Sequence, residues 1–255
     1  ICQNSLSIAV TVKKLGTHGI FLEDNANPTG GFSAADYQAL SDQFDALIYA
    51  TDVAYFGEPT DYDGNTRIAI VITKEVNKID NLLGEVFPQN LVPQSICPSS
   101  NEGEFFYGKA PDPTAAVGAA YKVEDALNDA PIIIAHEFSH VIQLGRRITY
   151  PPATDIQSTW ELEGQATFAE EVNGYTATGL TPGQNLGFEV AFNNPASQPI
   201  TWFADPFVDL AVYYGFQTQT QRIVGAPEQC SWLDVRSRGN NGPCLTGREP
   251  YGVPW

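Results

Sequence analysis

Pro131-Ile132-Ile133-Ile134-Ala135-His136-Glu137-Phe138-Ser139-His140-Val141-Ile142 is the stretch whose period decides how this chain folds. Two of the three histidines in the whole sequence stand in it, four residues apart around a glutamate. On an α-helix each residue advances about 100°, so positions i and i+4 share one face a turn apart. Both imidazoles then reach a single metal ion, with Glu137 beside them to take a proton from a water. The flanking residues are apolar nearly all round, which predicts a buried helix. Buried polar groups need partners, because leaving one unpaired costs roughly 2–7 kcal/mol. A metal would be that partner. The expected helix begins at Asn128 or Asp129, with Pro131 in its first turn, and ends at Gly145, with Arg146 and Arg147 suited to its negative end.

Outward from this helix, a catalytic zinc wants three protein ligands and an open position. The remaining histidine, His18, is far upstream, and none follows His140, so the third ligand should be a carboxylate. Downstream runs Trp160-Glu161-Leu162-Glu163-Gly164-Gln165-Ala166-Thr167-Phe168-Ala169-Glu170-Glu171. Ser158 and Glu161 form a capping-box pattern for a second helix, which Asn173-Gly174 would close. Glu163 and Glu170 are two turns apart and share a face, whereas Glu161 and Glu171 project elsewhere. Small neighbours, Gly164 and Ala166, let a helix approach closely at Glu163. Glu163 is therefore the expected third ligand, and Glu170 the group expected to hold the other nitrogen of a ligand imidazole. The pattern points to a zinc hydrolase, with Glu137 as its base and Zn2+ as its cofactor.

The pair H-E-x-x-H and W-x-x-E-G-x-A resembles the gluzincin metallopeptidases, in which the Glu of the E-G pair is the third zinc ligand. The order Tyr55-Phe56-Gly57, Asp61-Tyr62-Asp63-Gly64-Asn65, Arg67 to Ile72 and Ser99 to Tyr107 ahead of the metal helix is similar to the hyicolysin-type family of secreted bacterial zinc peptidases. The likeness covers about residues 20–175 and is specific at the zinc motifs. It implies His136, His140 and Glu163 as ligands, Glu137 as general base, a protein or peptide substrate, and a zincin-like α+β fold. In that fold residues 1–147 form an N-terminal lobe, a mixed sheet carrying the metal helix. Residues 148–255 form a mostly helical C-terminal lobe with the third ligand. The resemblance also implies that Glu104-Phe105-Phe106-Tyr107 is a sheet edge beside the zinc, able to pair with an extended substrate; an internal strand is the alternative. The aminopeptidase branch carries a G-x-M-E-N segment that is absent here, as is any methionine, so an endopeptidase is expected.

Composition narrows the alternatives. With 30 acidic and 13 basic residues the formal net charge is −17, which speaks against nucleic acid and anionic membranes as partners. No apolar run is long enough to span a bilayer. Four cysteines occur without a C-x-x-C pair, so a cysteine zinc site is not expected. Cys230 with Cys244, and Cys2 with Cys97, is one of three formal pairings; disulfides would indicate an exported, extracellular protein. Free buried thiols are the alternative. The ends at Ile1 and Trp255 suggest a processed form or fragment, and a monomer is expected.

The rest of the chain reads more coarsely. Residues 7–13 alternate as a strand, Ile20-Phe21-Leu22 reads as its partner, and 67–73 as a further strand. Ser33 with Asp36 opens a helix to about Ala50. Asp61, Asp63 and Asn65 hint at a calcium loop, but Gly64 is misplaced for one and a plain turn is expected. Asp205-Pro206 begins a helix to about Phe216. Tyr150, Tyr213 and Tyr214 are candidate oxyanion donors. Rival readings are a structural zinc module, an inactive zinc-binding form, and a zinc hydrolase of non-peptide bonds.

Overall fold

The computed structural model describes Cys2 and residues 5–150, 159–181, 202–204 and 206. The chain forms two compact units, Ile1–Ile156 and Gln157–Trp255. The Cys230–Cys244 loop, all but Pro206 of the helix expected from Asp205 to Phe216, Tyr213, Tyr214 and Ser158 fall outside the described residues.

The first unit is built on a five-stranded mixed sheet, as an α+β reading requires. Its strands are β1 (Val10–Leu15), β2 (Gly19–Asp24), β3 (Ile68–Thr73), β4 (Gly84–Val86) and β5 (Phe105–Lys109), in the order β1-β2-β3-β5-β4. β1 and β2 are antiparallel; β3 runs parallel to both β2 and β5; β4 is antiparallel to β5. Every residue of β3 is buried, which is why Ile68-Ala69-Ile70-Val71-Ile72 is continuously apolar instead of alternating. β1, with Lys13 and Lys14, is almost wholly exposed, in keeping with charged residues on an edge strand.

One expectation fails here. The strand at Phe105–Lys109 is not an edge: β3 and β4 flank it. Among the described residues the edge on this side of the sheet is β4, a three-residue strand too short to show a period in sequence. β5 pairs Ala69 with Phe105 on one side and Val86 with Phe106 on the other.

Helices cover the sheet. Ser33 and Asp36 make the reciprocal capping box that opens α1 (Ala34–Gln43). The chain continues through a π-helical turn, Phe44–Ile48, into α2 (Tyr49–Phe56), which Gly57 ends at φ 88°. Beyond a single turn, α3 (Lys74–Asn77), comes α4 (Val123–Thr149), a helix of 27 residues. Pro131 lies inside α4 rather than in its first turn. A proline there removes one hydrogen bond and costs about 3 kcal/mol. The turns ahead of it persist because Glu124 and Asp125 favour the helix start and Ala126 is buried. Asp129 is no cap; its carboxylate accepts a bond from the Tyr121 hydroxyl at 3.0 Å. Gly145 does not end the helix either. It is buried within it, and an added Cβ would collide with Thr60. Arg146 and Arg147 do occupy the last turn. Phe138 anchors α4 in the core, 5.3 Å from Phe44 edge-on and 5.4 Å from the stacked Tyr49.

Cys2 and Cys97 are joined in a disulfide, closing a separation of 95 residues. No helix among the described residues is long and apolar enough to cross a membrane.

In the second unit α5 (Thr159–Thr178) buries Ala166, Thr167, Ala169, Glu170, Val172 and Asn173. It passes through Asn173-Gly174, which sequence alone reads as its end. Gly174 is a packing glycine: a Cβ there would stand 2.7 Å from Trp202 Cβ and 3.0 Å from the Phe203 ring. The helix stops four residues later, before Gly179 at φ 69°.

Candidate metal centre

In α4 the 3.6-residue period puts His136 and His140 on one face, with ring centroids 4.9 Å apart and planes at 84°. Each offers a ring nitrogen no more than 4.8 Å from the other's. Two nitrogens on a tetrahedral zinc stand about 3.4 Å apart, given bonds of about 2.0–2.1 Å, a spacing inside that limit. The pair can hold a metal ion. His140 is buried and His136 half-buried.

His140 Nδ1 lies 3.3 Å from Gln143 Oε1. With Nδ1 donating to that amide oxygen, Nε2 carries the ligand lone pair, the arrangement by which a neighbour fixes the tautomer of a metal-bound imidazole. Gln143 is thus placed to orient the His140 ring. Its position three residues after His140 on the same helix was the available signal. Ser139 Oγ donates to the His136 carbonyl at 2.8 Å, so that hydroxyl serves the helix itself.

Glu137 is 7 % exposed. Strand β4 passes directly against it. A Cβ built on Gly84 would stand 3.0 Å from Glu137 Cγ, 2.7 Å from Ile133 Cγ2 and 2.6 Å from the Phe106 ring. Only a residue without a side chain lets the strand approach the glutamate this closely. Sequence reasoning passed over Gly84. The next residue, Glu85, is half-buried; desolvation, and then the like charge of Glu137, push its carboxyl above the usual carboxylate range.

On α5, Glu161, Glu163 and Glu171 are half-buried and Glu170 is 2 % exposed, so Glu170 is not a solvated surface acid. Burial raises the Glu171 carboxyl, opposed by a 3.0 Å bond from the Tyr175 hydroxyl.

The other candidates lie elsewhere. His18 stacks on Tyr49 at 3.7 Å, in the turn ahead of β2. Tyr150 is 69 % exposed where α4 ends. Asp61, Asp63 and Glu104 form a second group of acids. Their ligand atoms lie within 4.8 Å of one another, and Asp63 accepts the Asn65 backbone N–H at 3.0 Å and Asp61 the Thr66 backbone N–H at 2.9 Å, bonds that shape a turn. Glu104 accepts the Thr60 hydroxyl at 2.7 Å and the Tyr62 amide at 3.0 Å.

No protein-family model matches the chain, and no curated protein matches it.

Proposed function

We propose that this protein is a zinc-dependent endopeptidase of zincin-like fold, with His136, His140 and Glu163 as the ligands of one Zn2+ and Glu137 as general base. The observation that carries the reading is the His136–His140 pair on consecutive turns of α4, with His140 oriented by Gln143 and the buried Glu137 between them. Two imidazoles and one carboxylate are a donor set that suits zinc and leaves a fourth position for solvent or substrate. A zinc ion held by this set supplies Lewis acidity, lowering the pKa of a water and polarising the scissile carbonyl.

The chain's own part is proton transfer and alignment. Glu137 accepts the proton of the attacking water and passes it to the leaving amine. Gln143 keeps His140 in one tautomer. Among the described residues no strand pairs with the outer side of β4, and its main-chain groups there suit an extended peptide, which aligns it beside Glu137. This moves the substrate strand from Glu104–Tyr107 to Gly84–Val86. The Cys2–Cys97 disulfide supports an exported protein.

The test is Glu137→Gln. It should retain zinc by elemental analysis and lose about 10²–10⁴-fold in kcat/KM on casein-derived peptides. Parental protein should lose its activity to a chelator and regain it with zinc. Near-parental turnover in the variant would remove Glu137 as the base, and chelator-resistant proteolysis would remove the metal.

A further inference from the structure

We propose that Glu85 selects substrates with a lysine or arginine side chain in the extended segment lying along β4. The inference rests on the peptidase reading above and names the chemistry of its substrate.

A peptide that adds to the open side of β4 turns its side chains alternately to the two faces of the sheet. One face belongs to α4: Gly84 lies against Ile133 and Glu137 there, and Val86 pairs with Phe106. The opposite face carries Glu85, paired across the strands with Tyr107. The Tyr107 ring lies 5.3 Å from Phe87 and 6.2 Å from Phe105, measured between centroids. Its hydroxyl accepts bonds from Asn90 at 3.1 Å and Asn101 at 2.7 Å, which anchor the ring. A carboxylate beside fixed aromatic rings receives an ammonium or guanidinium through charge pairing and cation–π attraction together.

Among the described residues Glu85 forms no ion pair. Lys109, two residues along β5 from Tyr107, holds its ammonium over the Tyr121 ring at 5.1 Å instead. Burial and the nearby Glu137 already disfavour the charge on Glu85. An arriving cation relieves that cost, whereas an acidic side chain would add a third like charge. The net charge of −17 raises the local concentration of cationic peptides around the whole molecule.

The experiment uses two readouts. Binding of fluorescent peptides that differ only by Lys, Gln or Glu at one position is measured on zinc-loaded Glu137→Gln protein, with and without Glu85→Gln or Glu85→Lys. Cleavage of the same series is measured on the parent and on the two position-85 variants. Lys should be bound about tenfold more tightly than Gln. That preference should fall to within about twofold in Glu85→Gln and reverse toward Glu in Glu85→Lys, at unchanged far-UV circular dichroism. The same Lys preference in parent and Glu85→Gln overturns the proposal. So does a requirement for a free peptide amino terminus in place of a cationic side chain. Cleavage without any charge preference overturns it while leaving the peptidase reading intact. Charge-selective binding without cleavage supports Glu85 and counts against the peptidase reading alone.

Discussion

His136 and His140 stand on consecutive turns of a buried helix, whereas Asp61 and Asp63 stand in an exposed loop whose own amides already bond to their carboxylates. Both regions carry side chains that metals favour. They differ in what fixes them. In the loop the acids are local turn-formers: each carboxylate accepts a backbone N–H a few residues on, and the geometry serves the chain. In α4 the imidazoles owe their placement to a helix held by Phe138, Ile134 and Val141, and one of them is oriented by a further side chain, Gln143. Function is better argued from side chains that distant packing positions than from those their own backbone employs.

The largest effect expected from this contrast is on metal affinity. His140→Ala should weaken zinc binding by more than the roughly 10–100-fold that loss of an outer partner costs, and Gln143→Leu should fall within that 10–100-fold range. Asp63→Asn should leave zinc affinity unchanged. Competition against a chromophoric chelator measures all three. Loss of zinc on changing Asp63, or none on changing His140, would break the comparison.

A second prediction concerns how tightly packing holds the helix region. Gly84→Ala forces a methyl group against Phe106, Ile133 and Glu137. It should destabilise the protein by about 1–3 kcal/mol, the usual cost of overpacking. The same change at Gly64 in the loop, where nothing lies within 4 Å, meets no such obstacle, although φ 71° there still disfavours a side chain. Urea unfolding of Gly84→Ala checks this. A stability equal to the parent's would mean that β4 and α4 yield to one another.

What was legible in the sequence was periodic or locally capped. The centre of α4 showed its face through the His136–His140 spacing, β3 through its unbroken apolar run, and α1 through the Ser33–Asp36 box. What stayed hidden depended on partners distant in sequence. β4 is three residues long and has no period to read. Gly145 and Gly174 looked like helix ends because glycine so often is one, yet each is a close-packing point, against Thr60 and against Trp202 and Phe203. Pro131 misled for a related reason: its one lost hydrogen bond is offset by the acidic residues Glu124 and Asp125 at the helix start and by the buried Ala126, which hold the turns ahead of it. Of the site, His136, Glu137 and His140 could be read directly. Gln143 was readable by helical spacing but overlooked, and Glu85 carried no signal until β4 was seen to pass Glu137.

The smallest expected effect belongs to Glu104, the buried member of the loop group. Burial pushes its carboxyl above the usual carboxylate range, and the bonds from Thr60 and Tyr62 oppose that shift without cancelling it. The folded state therefore holds this proton more tightly than the unfolded chain does. Stability from that source is fully present below the unfolded value of about 4.3 and is lost as pH rises through the folded value. Glu104→Gln is neutral at every pH and keeps an oxygen for the Tyr62 amide, so it does not undergo that loss. Thermal unfolding of metal-free protein at pH 4 and pH 7 should show the variant gaining on the parent as pH rises. The readout is the sign of the change in melting temperature of variant minus parent between the two pH values. A trend of the opposite sign would show that Thr60 and Tyr62 favour the charged carboxylate more than burial penalises it. The loop would then be an anion cradle, and the contrast with α4 would rest on the histidines alone.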